Sequence, residues 1–143
     1  MLVQRRTLEA ETRGATEVCL QGGIHPKYTG KTYLDILESI RVVSPSIHIH
    51  AFSPLEIMHG SSTLNLSIKE FLLQLQEMGL NSIPGTAAEI LHDPIRKIIC
   101  PDKLNTTEWK KVITTAHSLG IPTTATIMFG HVETYQDLSL IHI

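Results

Sequence analysis

The chain has 143 residues, 42% of them hydrophobic and 18% charged, with a formal net charge of −2 and a mean hydropathy of +0.07. Such a composition suits a compact soluble protein with a substantial core and argues against disorder. It carries no electrostatic footprint for nucleic acid, no apolar run long enough to span a bilayer and no signal-peptide pattern, so the expected address is the cytoplasm.

Gln4–Arg13 reads as a helix that stops at Gly14. A short buried strand, about Thr16–Gln21, then runs straight into Gln21-Gly22-Gly23-Ile24-His25-Pro26. Adjacent glycines let backbone groups approach a ligand closely, and α/β proteins usually bind ligands where parallel strands exit. A plain tight turn explains the same residues. The next helix is expected from near Thr32, with Asp35 as capping-box partner and Tyr33, Ile36, Leu37, Ile40 and Val43 as its apolar face. Ser46–Phe52 is the second predicted strand. A helix from Ser67, boxed by Glu70, buries Ile68, Phe71, Leu72, Leu75 and Met78 and ends at Gly79. Leu80–Ile83 is the third strand. A further helix starts near Asn105 or Thr106, packs Trp109, Val112, Ile113, Ala116 and Leu119, and ends at Gly120. Thr123–Phe129 is the fourth strand, and another helix begins after Glu133.

Strands alternating with capped helices imply right-handed βαβ crossovers and a parallel sheet. Each strand runs into a polar or glycine-bearing motif (QGGIHP, HAFSP, PGTAAE, FGHVE), whereas the helix-to-strand junctions at Gly79 and Gly120 are terse. That asymmetry belongs to a βα barrel or a doubly wound sheet, and the lack of a G-x-G-x-x-G or Walker fingerprint favours the barrel. Four strands leave two raw edges. Residues 1–143 are therefore expected to form one α/β domain, an incomplete parallel (β/α) barrel cut from a larger one.

Several side chains have both a chemical and a structural reading. Cys19 and Cys100 stand 81 positions apart, which fits neither a zinc knuckle nor a redox pair, so both are expected to behave as small buried hydrophobes. His48 and His50 share one strand face; they suit a metal, or a polar layer satisfied by hydrogen bonds. Thr86 is a plausible N-cap for a short helix with Glu89 as its box partner, and Arg96 either forks onto a carboxylate or lies on the surface. His131, after Gly130 at a strand exit, suits an acid, a base or a helix cap.

Taken in order, GATEVCLQGGIHP, IHIHAFSPLEI, IPGTAAEIL, IRKIICPDKL and GIPTTATIMFGH closely resemble the FO synthase family of radical S-adenosylmethionine enzymes. The resemblance is to the half that joins tyrosine to 5-amino-6-ribitylaminouracil, and it covers about Gly14 to Glu133. It implies a (β/α)6 partial barrel to which this chain gives the second to fifth strands. It further implies a 4Fe-4S cluster that cleaves S-adenosylmethionine to a 5′-deoxyadenosyl radical, and transfer of tyrosine's 4-hydroxybenzyl unit to the uracil. By the same resemblance, Gln21, Gly22 and Gly23 hold the methionine end of S-adenosylmethionine. Glu89 and Arg96 contact its ribose or carboxylate, with Ser53 and Thr86 as neighbours, while His131 and Glu133 look toward the substrate. A companion FO synthase half, fused or separate, is an implied partner. The family's C-x-x-x-C-x-x-C loop is not in this sequence, and LSLIHI at 138–143 does not match the family's continuation. The resemblance thus implies an internal fragment, with Met1 an internal start, that is inactive alone. Competing readings are a futalosine-pathway radical enzyme of menaquinone synthesis, a zinc-dependent barrel hydrolase using His48 and His50, and a non-catalytic remnant.

Overall fold

A computed structural model describes residues 2–86 and 88–140. The last three residues of LSLIHI lie outside them. Helix α1 (Leu2–Thr12) leads into strand β1 (Glu17–Leu20), helix α2 (Gly30–Val43) and strand β2 (His48–Ala51). Helices α3 (Pro54–Thr63), α4 (Ile68–Glu77), α5 (Asp93–Ile99), α6 (Thr106–Ser118) and α7 (Tyr135–Ser139) follow.

β1 and β2 pair in parallel, with Glu17 opposite His48 and Cys19 opposite His50. The predicted third and fourth strands contract to isolated parallel bridges: His50 with Ser82, Ile83 with Thr123, and Glu89 with Ile127. Backbone bonds still run sideways through this region, from Ala51 N–H to Ser82 C=O and from Ile83 N–H to Pro122 C=O. The strand order along the ladder therefore follows the chain order, as βαβ crossovers require. Pro84 and Pro122 flank the short pieces, and proline removes ladder donors. Gly85 lies so close to the next segment that a Cβ there would sit 1.4 Å from the Thr124 carbonyl oxygen. Only glycine permits that approach.

The period-2 pattern divides the sheet. Ile49 and Ala51 are buried while His48 and His50 are half-buried on the other face. The buried face packs on Tyr33, Leu37 and Ile40 of α2, Ile57 of α3, and Phe71, Leu72 and Leu75 of α4. A second cluster joins Ala88, Leu91 and Leu104 to Trp109 and Ile113 of α6. The expected core of α6 is thus realised, and so is the Ser67–Glu70 capping box of α4. No helix among the described residues is long and apolar enough to cross a membrane.

Five expectations need correction. α2 starts three residues early: Thr29 is its N-cap and donates its N–H to Thr32 Oγ1 (3.2 Å). Asp35 pairs instead with Lys31 at 2.6 Å, the i,i+4 alternative open to a carboxylate on a helix surface. Thr86 caps no described helix, because Glu89 adopts φ +45° and bridges to Ile127. Cys19 is exposed, since the alternation that buries Val18 and Leu20 more deeply turns it to the other face. Arg96 is buried rather than on the surface. Met78, one residue past α4, is exposed rather than buried.

Candidate functional site at the strand exits

The Q-G-G loop leaves β1 and is held from below by Glu56, which is 1% exposed. Gly22 N–H donates to Glu56 Oε1 at 2.7 Å, and Ser53 donates its N–H (2.7 Å) and its O–H (2.8 Å) to Glu56 Oε2. Ser53 is the N-cap of α3 and Glu56 its capping-box partner, with Pro54 at the first turn. The sequence S-P-L-E thus builds both a helix start and a clamp on the glycine loop. Tyr33 O–H reaches the Gly23 carbonyl at 3.4 Å. Burial first, and then the Glu56 charge, push the Tyr33 phenol up to about 12. Gly23 itself sits at φ +67°.

Above this clamp lies a cavity of about 310 Å³ lined by Gln21, Ser53, Leu55, Thr86, Glu89, Lys103 and Thr126. The residues come from the exits of β1 and β2, the 84–89 loop, the turn before α6 and the 123–127 segment. Two non-glycine residues with positive φ border it: Phe52 at +67°, just before Ser53, and Glu89 at +45°. Such backbone costs about 1–3 kcal/mol per residue and concentrates at functional sites. The turn at Phe52 sends its ring into the core, 4.9 Å from Tyr33 and edge-on. Glu89 Oε1 accepts from Lys103 Nζ at 2.6 Å. The Thr86 hydroxyl is buried and has no hydrogen-bond partner among the described residues. An orphaned buried hydroxyl is an uncompensated cost in the ligand-free chain.

Four of the sequence-derived residues, Gln21, Ser53, Thr86 and Glu89, are thereby brought together, with Gly22 and Gly23 beside them. Arg96 is not among them. Its guanidinium donates to the carbonyls of Ala88, Ile90 and Leu104 and borders a separate cavity of about 350 Å³. It acts as a brace that fixes the backbone on both sides of Glu89. His131 and Glu133 lie outside the cavity. Glu133 accepts the backbone N–H groups of Gly130 and His131, which hold its carboxyl below the usual range, Gly130 first. Sequence reasoning missed Glu56 and Lys103 as site residues. The first carries a capping-box signal in Ser53-x-x-Glu56; the second carries none, because the fold alone brings it to Glu89.

The paired histidines resolve toward the hydrogen-bonded layer. His48 Nε2 and His50 Nδ1 each lie 2.7 Å from Ser82 Oγ, and no cluster of three or more metal-ligating side chains occurs among the described residues.

The cavity lies at the carboxyl ends of parallel strands, where α/β folds usually bind their ligands. Residues 3–142 match the model of the radical SAM superfamily, and the chain belongs to it. That superfamily is of the partial barrel type. The chain is 51% identical over 134 residues to the 5-amino-6-(D-ribitylamino)uracil–L-tyrosine 4-hydroxyphenyl transferase of Archaeoglobus fulgidus, covering 94% of this chain and 39% of that protein. It is 51% identical to the same-named protein of Methanocaldococcus jannaschii, over 94% of this chain and 38% of that one. The relative from Cyanothece sp. is 47% identical, over 92% and 36%. The chain thus spans somewhat over a third of the length of these relatives.

The superfamily generally implies S-adenosylmethionine and a 4Fe-4S cluster. The cavity fits the first: it offers an unpartnered hydroxyl, a carboxylate and an ammonium to a ligand bearing hydroxyls and opposite charges. The cluster does not fit this chain, whose only cysteines are an exposed Cys19 and a buried Cys100, too few thiolates for its usual ligation.

Proposed function

We propose that this chain provides the S-adenosylmethionine-binding strand exits of a transferase that moves the 4-hydroxybenzyl unit of tyrosine onto 5-amino-6-(D-ribitylamino)uracil. In this reading the segments 17–20, 48–51, 82–83 and 123–127 are the second to fifth strands of a (β/α)6 partial barrel. A companion half of the synthase, fused or separate, is its natural partner. The observation that carries the reading is the cavity with the orphaned Thr86 hydroxyl, seated in a chain about half identical to transferases of that name.

Each wall residue has a role. The Thr86 hydroxyl and the Glu89 carboxylate bind the ribose hydroxyls. Lys103, in the place first given to Arg96, meets the amino-acid carboxylate, a charge-assisted contact. Since Gly22 N–H is already committed to Glu56, the loop offers the ligand Gly23 N–H, Gly22 C=O and the Gln21 amide. Ser53 acts through Glu56, its hydroxyl being taken up by the capping box. Arg96 braces Glu89, and His131 with Glu133 remains the proposed acid–base pair at the substrate end. Leu55 from the second cluster limits water on the inner wall. The paired histidines favour no hydrolase, because one nitrogen of each ring is bonded to Ser82 and no third metal-ligating side chain joins them among the described residues.

Titration of the ¹⁵N-labelled chain with S-adenosylmethionine tests the site. Amide shifts are expected to concentrate at Gly23, Thr86, Glu89 and Lys103; shifts confined to Gly130–Glu133, or none at saturating ligand, overturn the assignment. The chain reconstituted with iron, sulfide and S-adenosylmethionine is expected to give no transfer product, and turnover would contradict the cysteine reasoning.

A further inference from the structure

On the sheet face away from the helices, Ser82 stands between two imidazoles. His48 Nε2 and His50 Nδ1 both lie 2.7 Å from its Oγ, and Ser82 is itself buried. Two such bonds to one oxygen place the ring nitrogens within about 5.4 Å of each other. A serine hydroxyl has one proton and two lone pairs. It therefore donates to one ring while accepting from the other, and the protonation of the two rings is tied together. Among the described residues, the other titratable groups on this face of the two strands are Glu17, whose Oε2 is 3.6 Å from His48 Nε2, and the Cys19 thiol, opposite His50 in the register.

From this geometry we infer that His48, Ser82 and His50 form a proton relay along the inner face of the sheet. With His48 protonated, its Nε2–H donates to Ser82 Oγ and the Ser82 O–H donates to His50 Nδ1. Transfer breaks the His48 N–H and the Ser82 O–H bonds and forms a new Ser82 O–H and a His50 N–H. The serine is regenerated, one positive charge passes from His48 to His50, and no proton is gained or lost. His50 lies two residues further along the parallel strand, roughly 6.6 Å nearer the strand exits. Glu17, more than half exposed, sits at the entry end. The relay thus leads from solvent at the start of the strands toward the cavity at their ends. Its use in transfer rests on the function proposed above, but its proton sharing needs no ligand.

Imidazole ¹⁵N titration of the whole chain tests the sharing, with the two rings assigned through His48→Gln and His50→Gln. Both rings are expected to show two-phase curves in the wild type, each reporting the other's protonation. Ser82→Ala is expected to shrink the second phase to what direct charge repulsion leaves, Ser82→Thr to restore it, and Glu17→Gln to leave it in place. Independent single-phase curves in the wild type, or a second phase of unchanged size in folded Ser82→Ala, overturn the relay. Where Ser82→Ala does not fold, Ser82→Cys decides, its thiol being a weak donor and acceptor in the same place: a reduced second phase supports the relay and an unchanged one overturns it. None of these results bears on whether S-adenosylmethionine occupies the cavity, which the ligand titration reads separately.

Discussion

Replacing Glu56 with alanine is the sharpest test of how the glycine loop is held. The carboxylate accepts three hydrogen bonds, from Gly22 N–H and from the N–H and O–H of Ser53. At about 1 kcal/mol net per bond, truncation costs roughly 3 kcal/mol. Relief of a buried charge offsets part of this, and the cavity left behind adds to it. For a chain of 143 residues, about 3 kcal/mol lowers Tm by roughly 10 °C. Thermal unfolding followed by far-UV circular dichroism reads that shift, and hydrogen exchange at the Gly22 amide reads the clamp itself. Glu56→Gln, which keeps the shape and one acceptor oxygen, is expected to lose about half as much. A Tm within about 2 °C of wild type, with Gly22 exchange unchanged, refutes the clamp.

Arg96→Lys cannot span the carbonyls of Ala88, Ile90 and Leu104 together, and is expected to cost about 2–4 kcal/mol in urea unfolding; a change below about 0.5 kcal/mol would contradict its bracing role. Gly85→Ala forces a Cβ onto the Thr124 carbonyl and is expected to prevent folding. Gly23→Ala has open space around it and is expected to cost only about 1 kcal/mol for its positive φ; equal effects of the two on Tm would count against the strand packing. Hydrogen bonds from Thr134 backbone and side chain, and then from His92, hold the Asp137 carboxyl below its ordinary 3.8. The unfolded carboxyl therefore binds its proton first as pH falls. Its stabilising contribution is complete above 3.8 and is lost as pH drops through the lowered folded value. Asp137→Asn is expected to flatten acid unfolding in that window, and an unchanged acid limb would refute the linkage.

The long helices were legible because their signals are local. Ser67 with Glu70, and Asn105 ahead of Trp109, Val112, Ile113 and Ala116, show cap and periodicity within a few turns. The early start of α2 was not, since two threonines offer a box as good as Thr32 with Asp35. The predicted third and fourth strands shrank to bridges where Pro84, after Ser82–Ile83, and Pro122, before Thr123, remove ladder donors. Of the residues lining the candidate cavity, Gln21, Ser53, Thr86 and Glu89 were pointed to by motif order, not by spacing. Spacing alone made Thr86 and Glu89 a capping box, which the left-handed turn at Glu89 forbids. Arg96 misled for a different reason: a guanidinium's reach in space, here onto three carbonyls, is invisible in the chain. Lys103 meets Glu89 from 14 residues away, a contact made only by the fold.

The central claim is that the cavity at the strand exits binds S-adenosylmethionine through the orphaned Thr86 hydroxyl. Calorimetric titration of the 143-residue chain against its Thr86→Val variant reads that claim directly. Saturable one-site binding, weakened about tenfold in Thr86→Val by loss of one hydrogen bond of roughly 1.4 kcal/mol, is the expected result. Absence of saturable binding, or equal affinity in both proteins, would contradict it.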